Sequence, residues 1–354
     1  GWYGDSPITL SGQLTPKSKS LIDFDVSLKS TNWTQDDFEN IPYLQSLKFI
    51  GSLNSEISLA GNRDSFIFKN KFDLTQAAYK FQDVIHKKEK NPNKIELEGA
   101  YSKNEGIALD QFKFFLDNNI FTGTANIKNL SDPKYLIKIN GIGFKANTLG
   151  SLMNIFSNNT DGKIDFNVVG EGNLNRLEDS FFKGSAILKN LVFKWEDRKN
   201  PLTLSANVRF SGDTYDLRSG QMESGRSKIL FRGKYKNEKQ PELLLKLTGE
   251  TLIVDEFISN KKDKSETNLK DLFEQSNILS KGKSKISVDL EHLDFKWITL
   301  RGVSGNFILK DREILFNKFR IGSNNPIKVI GKLSVKDPES IRFETKLKAN
   351  EIEA

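Results

Sequence analysis

Cysteine is absent from the 354 residues, and histidine occurs only twice. Without thiols there is no disulfide framework, no thiolate metal site and no thiol redox chemistry, while an oxidising compartment is permitted. No run of eighteen apolar residues and no signal-peptide pattern occurs, so no transmembrane helix is legible. Walker A, HExxH and GxSxG patterns are missing as well. Prolines number nine, and no proline-rich or serine-rich linker divides the chain, which reads as one continuous array over 1–354.

The residues that remain for chemistry are ordinary ones. His86 falls at the end of an expected helix, where it complements the dipole, and His292 falls between strands. Carboxylate pairs such as Asp36 and Asp37 read as caps, with nothing to separate an acid from a base. Gly170-Glu-Gly172 lacks the third glycine of a dinucleotide loop and reads as a strand bulge, and Asn158-Asn-Thr-Asp-Gly162 reads as a turn, not a calcium loop. The expectation is therefore no enzyme, no catalytic residue, no metal and no cofactor. The formal charge of +7 is spread over lysines that alternate with acidic residues, a pattern that protects strand edges. No arginine-rich helix or aromatic-studded basic stripe points to nucleic acid. A weak pull on anionic headgroups is assigned to Lys87, Lys88 and Lys90, or to Lys261, Lys262 and Lys264.

What the sequence has in quantity is alternation. Ile22, Phe24, Val26 and Leu28 alternate with Asp23, Asp25, Ser27 and Lys29, and Ile341, Phe343 and Leu347 do so near the other end. This is the signature of a half-buried strand. Asp117-Asn-Asn119, Asp161-Gly162, Lys310-Asp311 and Asn324-Asn-Pro326 read as hairpin turns, and an antiparallel meander is the simplest connection. Helical signals are few: Thr34–Leu47, where Thr34 and Asp37 have capping-box spacing, Thr75–His86, Asn147–Phe156 and Asn268–Leu279.

The pattern repeats. Pro133–Gly141, Pro241–Gly249 and Pro338–Ile352 are copies of one strand, with looser copies after Pro16 and Phe66, and glycine-bearing strands ending at Gly12, Gly123, Gly233 and Gly331 recur at near-equal steps. Approximate units are 1–47, 48–157, 158–280 and 281–354. A unit with one apolar face cannot bury it alone, so function belongs to the stacked surface. Glycine within strands marks regular bends, which makes the sheet curved. The copies begin abruptly at Gly1 and are cut at Ala354, so the array is expected to be part of a longer chain. Ser259–Thr267 reads as a solvated loop within it.

The fold class that follows is all-β with a few short helices, a long curved antiparallel sheet of repeated units. Phenylalanine is abundant, at 26 residues, and recurs on the apolar side of strands. Leaving some thirty large apolar side chains in water would cost roughly 1.5–3 kcal/mol each, beyond any domain's stability. At about 4.8 Å per strand, some twenty strands stack to roughly 100 Å, and open sheets of more than about ten strands curl. Folded lengthwise, such a sheet becomes a sandwich if its walls meet and a lipid trough if they stay apart. The positions expected on that wall are Phe24, Val26, Phe68, Phe72, Phe121, Ile137, Ile139, Phe231, Leu243, Leu245, Leu247, Val288, Phe316, Val329, Phe343 and Leu347.

Leu188–Phe193, Pro201–Val208, Tyr215-Asp-Leu217, Ile229–Gly233, Pro241–Leu247 and Val254–Phe257, an order repeated by Leu300–Leu309, Ile314-Leu-Phe316, Val329-Ile-Gly331 and the strand from Ile341, resemble the AsmA-like family of bacterial envelope proteins, which includes the TamB and YhdP types. The resemblance implies a U-shaped hydrophobic β-groove that crosses the periplasm from an inner-membrane anchor lying outside this chain. It implies a bridge-like segment carrying phospholipid acyl chains between inner and outer membranes, with an outer-membrane or periplasmic protein partner. The alternative it allows is an assembly scaffold that assists outer-membrane protein biogenesis through its strand edges.

Overall fold

Period-two alternation becomes β-strand along nearly all of the described chain. The computed structural model describes residues 2–3, 6–18, 21–38, 48–81, 85–153, 160–194, 200–256, 282–295, 298–310, 313–322, 327–337 and 340–348. They form two compact units, Gly1–Gly184 and Ser185–Ala354.

In the first unit the strands are β1 (Trp2–Tyr3), β2 (Ser6–Ser18), β3 (Leu21–Trp33), β4 (Lys48–Gly51), β5 (Leu53–Asn62), β6 (Ser65–Asp73), β7 (Ala77–Phe81), β8 (Ile85–Lys87), β9 (Asn93–Ser102), β10 (Gly106–Leu116), β11 (Asn119–Lys128), β12 (Lys134–Lys145) and β13 (Thr160–Asn173). β1, β2, β3, β5, β6, β9, β10, β11, β12 and β13 pair in that order, each antiparallel to the last. β4, β7 and β8 form a separate three-stranded sheet. One helix, α1 (Ala146–Met153), follows β12. The boundary between the units falls inside a further strand, β14 (Arg176–Phe193).

The second unit continues with β15 (Leu202–Ser211), β16 (Thr214–Ser224), β17 (Ser227–Lys236), β18 (Glu242–Ile253), β19 (Lys283–Phe295), β20 (Ile298–Lys310), β21 (Glu313–Ile321), β22 (Ile327–Asp337) and β23 (Ser340–Lys348). Neighbours pair antiparallel, with one exception. β18 and β19 are parallel, Leu245 opposite Ile286 and Leu247 opposite Val288. A pure meander is therefore corrected at this step, where the long connection between the two strands replaces a hairpin.

Other local expectations change too. Thr75–His86 is not a helix but contributes strands β7 and β8; within the stripe, the positions of Ala77, Phe81 and Ile85 also fit alternation, and Ala77 and Tyr79 are buried while Lys80 is exposed. His86 thus lies in a strand. Asp161-Gly162 opens β13 and is not a hairpin turn, and Gly170-Glu-Gly172 pairs in regular register with Ile137, Leu136 and Tyr135 of β12, with no bulge in that pairing. From Thr34–Leu47 the described part is a 3-10 turn, Asp36–Phe38. Asn147–Phe156 is helical over its described part, while Asn268–Leu279, Ser259–Thr267 and Asn324-Asn-Pro326 lie outside the described residues.

Curvature comes from two devices. Registers slip in β10 between Leu109 and Phe112, in β12 between Gly141 and Phe144, in β16 between Leu217 and Gly220 and in β21 between Phe316 and Phe319. Such bulges bend a strand and increase its twist. Beside them, phenylalanine rings lie over glycines of the next strand: a Cβ on Gly123 would run into the ring of Phe112, and one on Gly220 into Phe231. Phe166 lies over Gly141 and Phe182 over Gly170 in the same manner. Glycine is needed there because the ring occupies the space of a side chain.

Replacing Gly220 by Ala should therefore displace the Phe231 ring and destabilise the protein by about 1–3 kcal/mol. Urea unfolding followed by circular dichroism measures this, and an unchanged midpoint would remove the ring-over-glycine contact as a structural requirement.

Candidate apolar face and its edges

Directly paired residues share a face, so the registers sort the candidate positions. In the first unit Val26 pairs with Leu59, Leu59 with Phe68, Phe68 with Gly99, Gly99 with Leu109, Leu109 with Ala125 and Ala125 with Ile137, one row across seven strands. Two residues along one direction runs Phe24, Gly61, Phe66, Tyr101, Ile107, Ile127 and Tyr135. In the other direction Leu28, Ile57, Asn70, Leu97, Phe112, Gly123 and Ile139 form a row, and Phe72, Ile95, Phe114 and Phe121 the next. All seven candidates of this unit thus lie on one face. Rings touch along it, Phe66 on Tyr101 at 4.9 Å and Phe114 stacked on Phe121 at 4.6 Å.

That face is covered unequally. The three-stranded sheet packs on one edge, where Phe49, Ala77 and Tyr79 bury Trp33, Leu53 and Leu74 and draw in Leu28, Phe72 and Ile95. Next to it Leu116 and Phe144 bury against Phe114, Phe121, Phe166 and Leu149 of α1. Phe72 and Phe121 therefore belong to protein cores. Phe68 is buried within the sheet, and Phe24, Val26, Ile137 and Ile139 stay half-buried outside both clusters.

In the second unit Phe231 pairs with Leu247 and Leu247 with Val288, while Leu245 lies beside Ile286, Ile286 beside Phe307 and Phe307 beside Phe316. Leu243 pairs with Tyr235, and Val329 with Phe319. One face again holds them all. Leu247, Val288 and Val329 pack on the buried cluster of Ile229, Leu290, Val303 and Phe319, whereas Phe231, Leu243 and Leu245 do not. Phe343 and Leu347 pair through their backbones with Leu333 and Val329, and their side chains lie outside the described residues.

Polar side chains fasten the edges. Asp37 accepts hydrogen bonds from the Ser6 hydroxyl at 2.9 Å, the Thr34 amide at 2.8 Å and the Thr34 hydroxyl at 3.0 Å, as the capping-box spacing predicts. Burial pushes its carboxyl up, and these three donors outweigh burial and hold it below 3.8. Asn119 accepts from the Lys145 amide at 2.8 Å and donates to Thr148 at 3.1 Å, tying a hairpin to α1. Glu256 does the same in the second unit, accepting from the amides of Arg226 and Ser227 at 3.0 Å and from the Ser227 hydroxyl.

Sequence reasoning missed a buried lysine among these groups. Lys87 is 4% exposed and donates to the carbonyls of Leu74, Thr75 and Ala77 at 2.6, 2.8 and 2.5 Å, so it is withdrawn from any headgroup, while Lys88 and Lys90 remain exposed. Lys261, Lys262 and Lys264 lie outside the described residues. Burial lowers the Lys87 ammonium below its usual range, opposed by Asp73, Glu89 and Asp117. Beside it the Tyr79 phenol, pushed up to about 12 by burial, donates to Asn93 at 3.0 Å, and Asn93 donates to the Phe115 carbonyl. His292 pairs with Thr251 and Arg301 within β19's ladder. Among the described residues no group of three or more histidine or acidic side chains is placed to hold a metal.

Comparison with protein-family models, with curated proteins and with solved structures finds no match. The apolar faces therefore carry the functional argument by their own geometry.

Two outcomes test the edges. Because Asp37 titrates lower folded than unfolded, its contribution is present above pH 3.8 and is lost as pH falls through its folded value; Asp37→Asn should flatten that acid limb in urea midpoints taken against pH. Lys87→Met should cost about 1.5–3 kcal/mol, the worth of hydrogen bonds to a charged donor. Amide exchange localised to β7 and β8 would report it.

Proposed function

We propose that this chain is a segment of a bridge-like lipid conduit of the AsmA-like type, acting in the periplasm and holding phospholipid acyl chains on the apolar faces of its sheets. The observation that carries this reading is the row continuity in the first unit, where three parallel rows, apolar but for Asn70, cross seven strands, a fourth crosses four of them, and half-buried Phe24, Val26, Ile137 and Ile139 stand outside the protein cores. Moving a diacyl lipid through water exposes its chains at about 0.8 kcal/mol per methylene, roughly 25 kcal/mol for some thirty carbons. A surface that stays apolar from strand to strand removes most of that barrier. No bond is made or broken, so the reading is not enzymatic and needs no cofactor. An inner-membrane anchor and an outer-membrane or periplasmic partner belong to the same proposal.

A second reading, a scaffold that lends strand edges to client proteins, is favoured by β2. Among the described residues its register partners are β3 and, at one end only, the two-residue β1, and Leu10 and Leu14 on it are 68% and 67% exposed. An apolar strand edge of this kind is a template for another strand.

Photo-crosslinking residues placed at Ile139 and Leu245 should capture phospholipid from vesicles, while one at Ile67, 57% exposed on the opposite face, should not. Capture at all three alike, or at none, would sink the conduit reading. Leu245→Asp should abolish lipid capture and leave any strand-mediated client contact intact.

A further inference from the structure

The polar faces of both units carry cross-strand pairs of opposite charge, and the second adds a cluster of cations. In the first, charges of opposite sign face one another: Lys29 meets Glu56 at 2.9 Å, Lys69 meets Glu98 at 2.6 Å, and Lys71 lies between Glu56 and Glu96 on the strands to either side. In the second, Arg232 of β17 stands directly opposite Lys246 of β18, and the bulge of β16 brings Arg218 to the other side of Arg232. Lys234 lies two residues along β17, and Lys285 of β19 pairs with Leu244 beside it. All five cations are exposed, and the one carboxylate among them, Asp216, is 3.5 Å from Arg218 and stands opposite Lys234 in the ladder. Arg232, Lys234, Lys246 and Lys285 form no ion pair among the described residues.

Like charges placed directly across a ladder destabilise it. Here the cations also line adjoining clefts of about 490 and 270 Å³, between which Leu230 and Leu244 are 48% and 54% exposed. We infer that this face of the second unit, β16 to β19, docks an extended acidic polypeptide segment with carboxylates on alternate residues. Alternate residues of an extended chain are about 6.6 Å apart, the spacing of Arg232 and Lys234 along β17, while Arg232 and Lys246 are separated by about one strand spacing. One carboxylate thus seats between Arg232 and Lys246 and the next beside Lys234 and Lys285. The exposed leucines receive the side chains between them.

The site selects among anions. It lies in mid-strand and in clefts, away from the hairpin tips that a flat bilayer would touch first. Phe210, Tyr215, Phe231 and Tyr235 fall in the opposite register, so this face offers no ring for stacking bases. The inference is independent of the lipid reading, since it uses the other side of the sheet.

The test uses the intact chain, fluorescence anisotropy and a fluorescein-labelled peptide of alternating Glu and Ser, with a Gln and Ser peptide as control. Binding should be seen for the acidic peptide alone, and should weaken about tenfold in the Arg232→Gln/Lys246→Gln double variant and with added salt. Lys69→Gln, on the paired ladder of the first unit, should bind as the parent does. The double variant should melt no lower than the parent, because a repulsion is removed. No peptide binding, an equal loss in Lys69→Gln, or a lower melting temperature in the double variant overturns the inference. So does preferential capture by phosphatidylglycerol vesicles, or self-association that the double variant abolishes, which would assign the patch to a membrane or to a second copy.

Discussion

In a strand with side chains alternating between faces, pairing register alone decides which face a residue joins. A slip of one residue at β5 would turn Ile57 and Leu59 toward solvent and bring Glu56 and Ser58 under the rings of the neighbouring strands. Each large apolar side chain so exposed costs roughly 1.5–3 kcal/mol, so a few of them outweigh the stability of a typical domain. The ring-over-glycine contacts add a steric lock. Phe112 over Gly123 and Phe231 over Gly220 fit only when the ring and the missing side chain fall opposite each other. Hydrophobicity thus sets the face, and shape sets the register.

The same constraint explains the polar groups at the strand ends. An apolar row has to stop where the chain turns, and the backbone there needs partners. Ser30, Ser55, Asn93, Asn119 and Ser227 each take the next position on the apolar side of their strand, and each is buried and hydrogen-bonded. They mark where hydrocarbon packing gives way to the fastening of hairpins, α1 and the short 3-10 turns.

This also defines what could be read in advance. Alternation gave the strands, their polar and apolar sides and the shared face of the candidate positions, because period two is a local property. The capping box at Thr34 and Asp37 was equally local. Thr75–His86 misled because Ala77, Phe81 and Ile85 satisfy two periods at once, and a window that short cannot choose between them. Lys87 was hidden since nothing near it in sequence distinguishes a lysine that meets three carbonyls from its exposed neighbours Lys88 and Lys90. The buried polar ends, in contrast, left a usable signal: Asn93 precedes Ile95 and Leu97, and Asn119 precedes Phe121, on the apolar side. The parallel step at β18 and β19 had no local mark, as Ile286 and Val288 alternate identically in either direction.

The edge at β2 shows how the two functional readings divide the molecule. Leu28 and Leu10 are register partners on the same face, yet Leu28 is half-buried with strands on both sides and Leu10 is 68% exposed with a strand on one. Leu28 is covered by the three-stranded sheet as well as flanked by strands, whereas among the described residues β2 pairs only with β3 and the short β1, so an added strand there would cover Leu10 and Leu14. A conduit draws on side chains normal to the sheet, whereas strand addition draws on backbone in its plane. The two use different atoms, so occupation of the edge would extend the apolar rows by one strand instead of competing with a lipid lying on them.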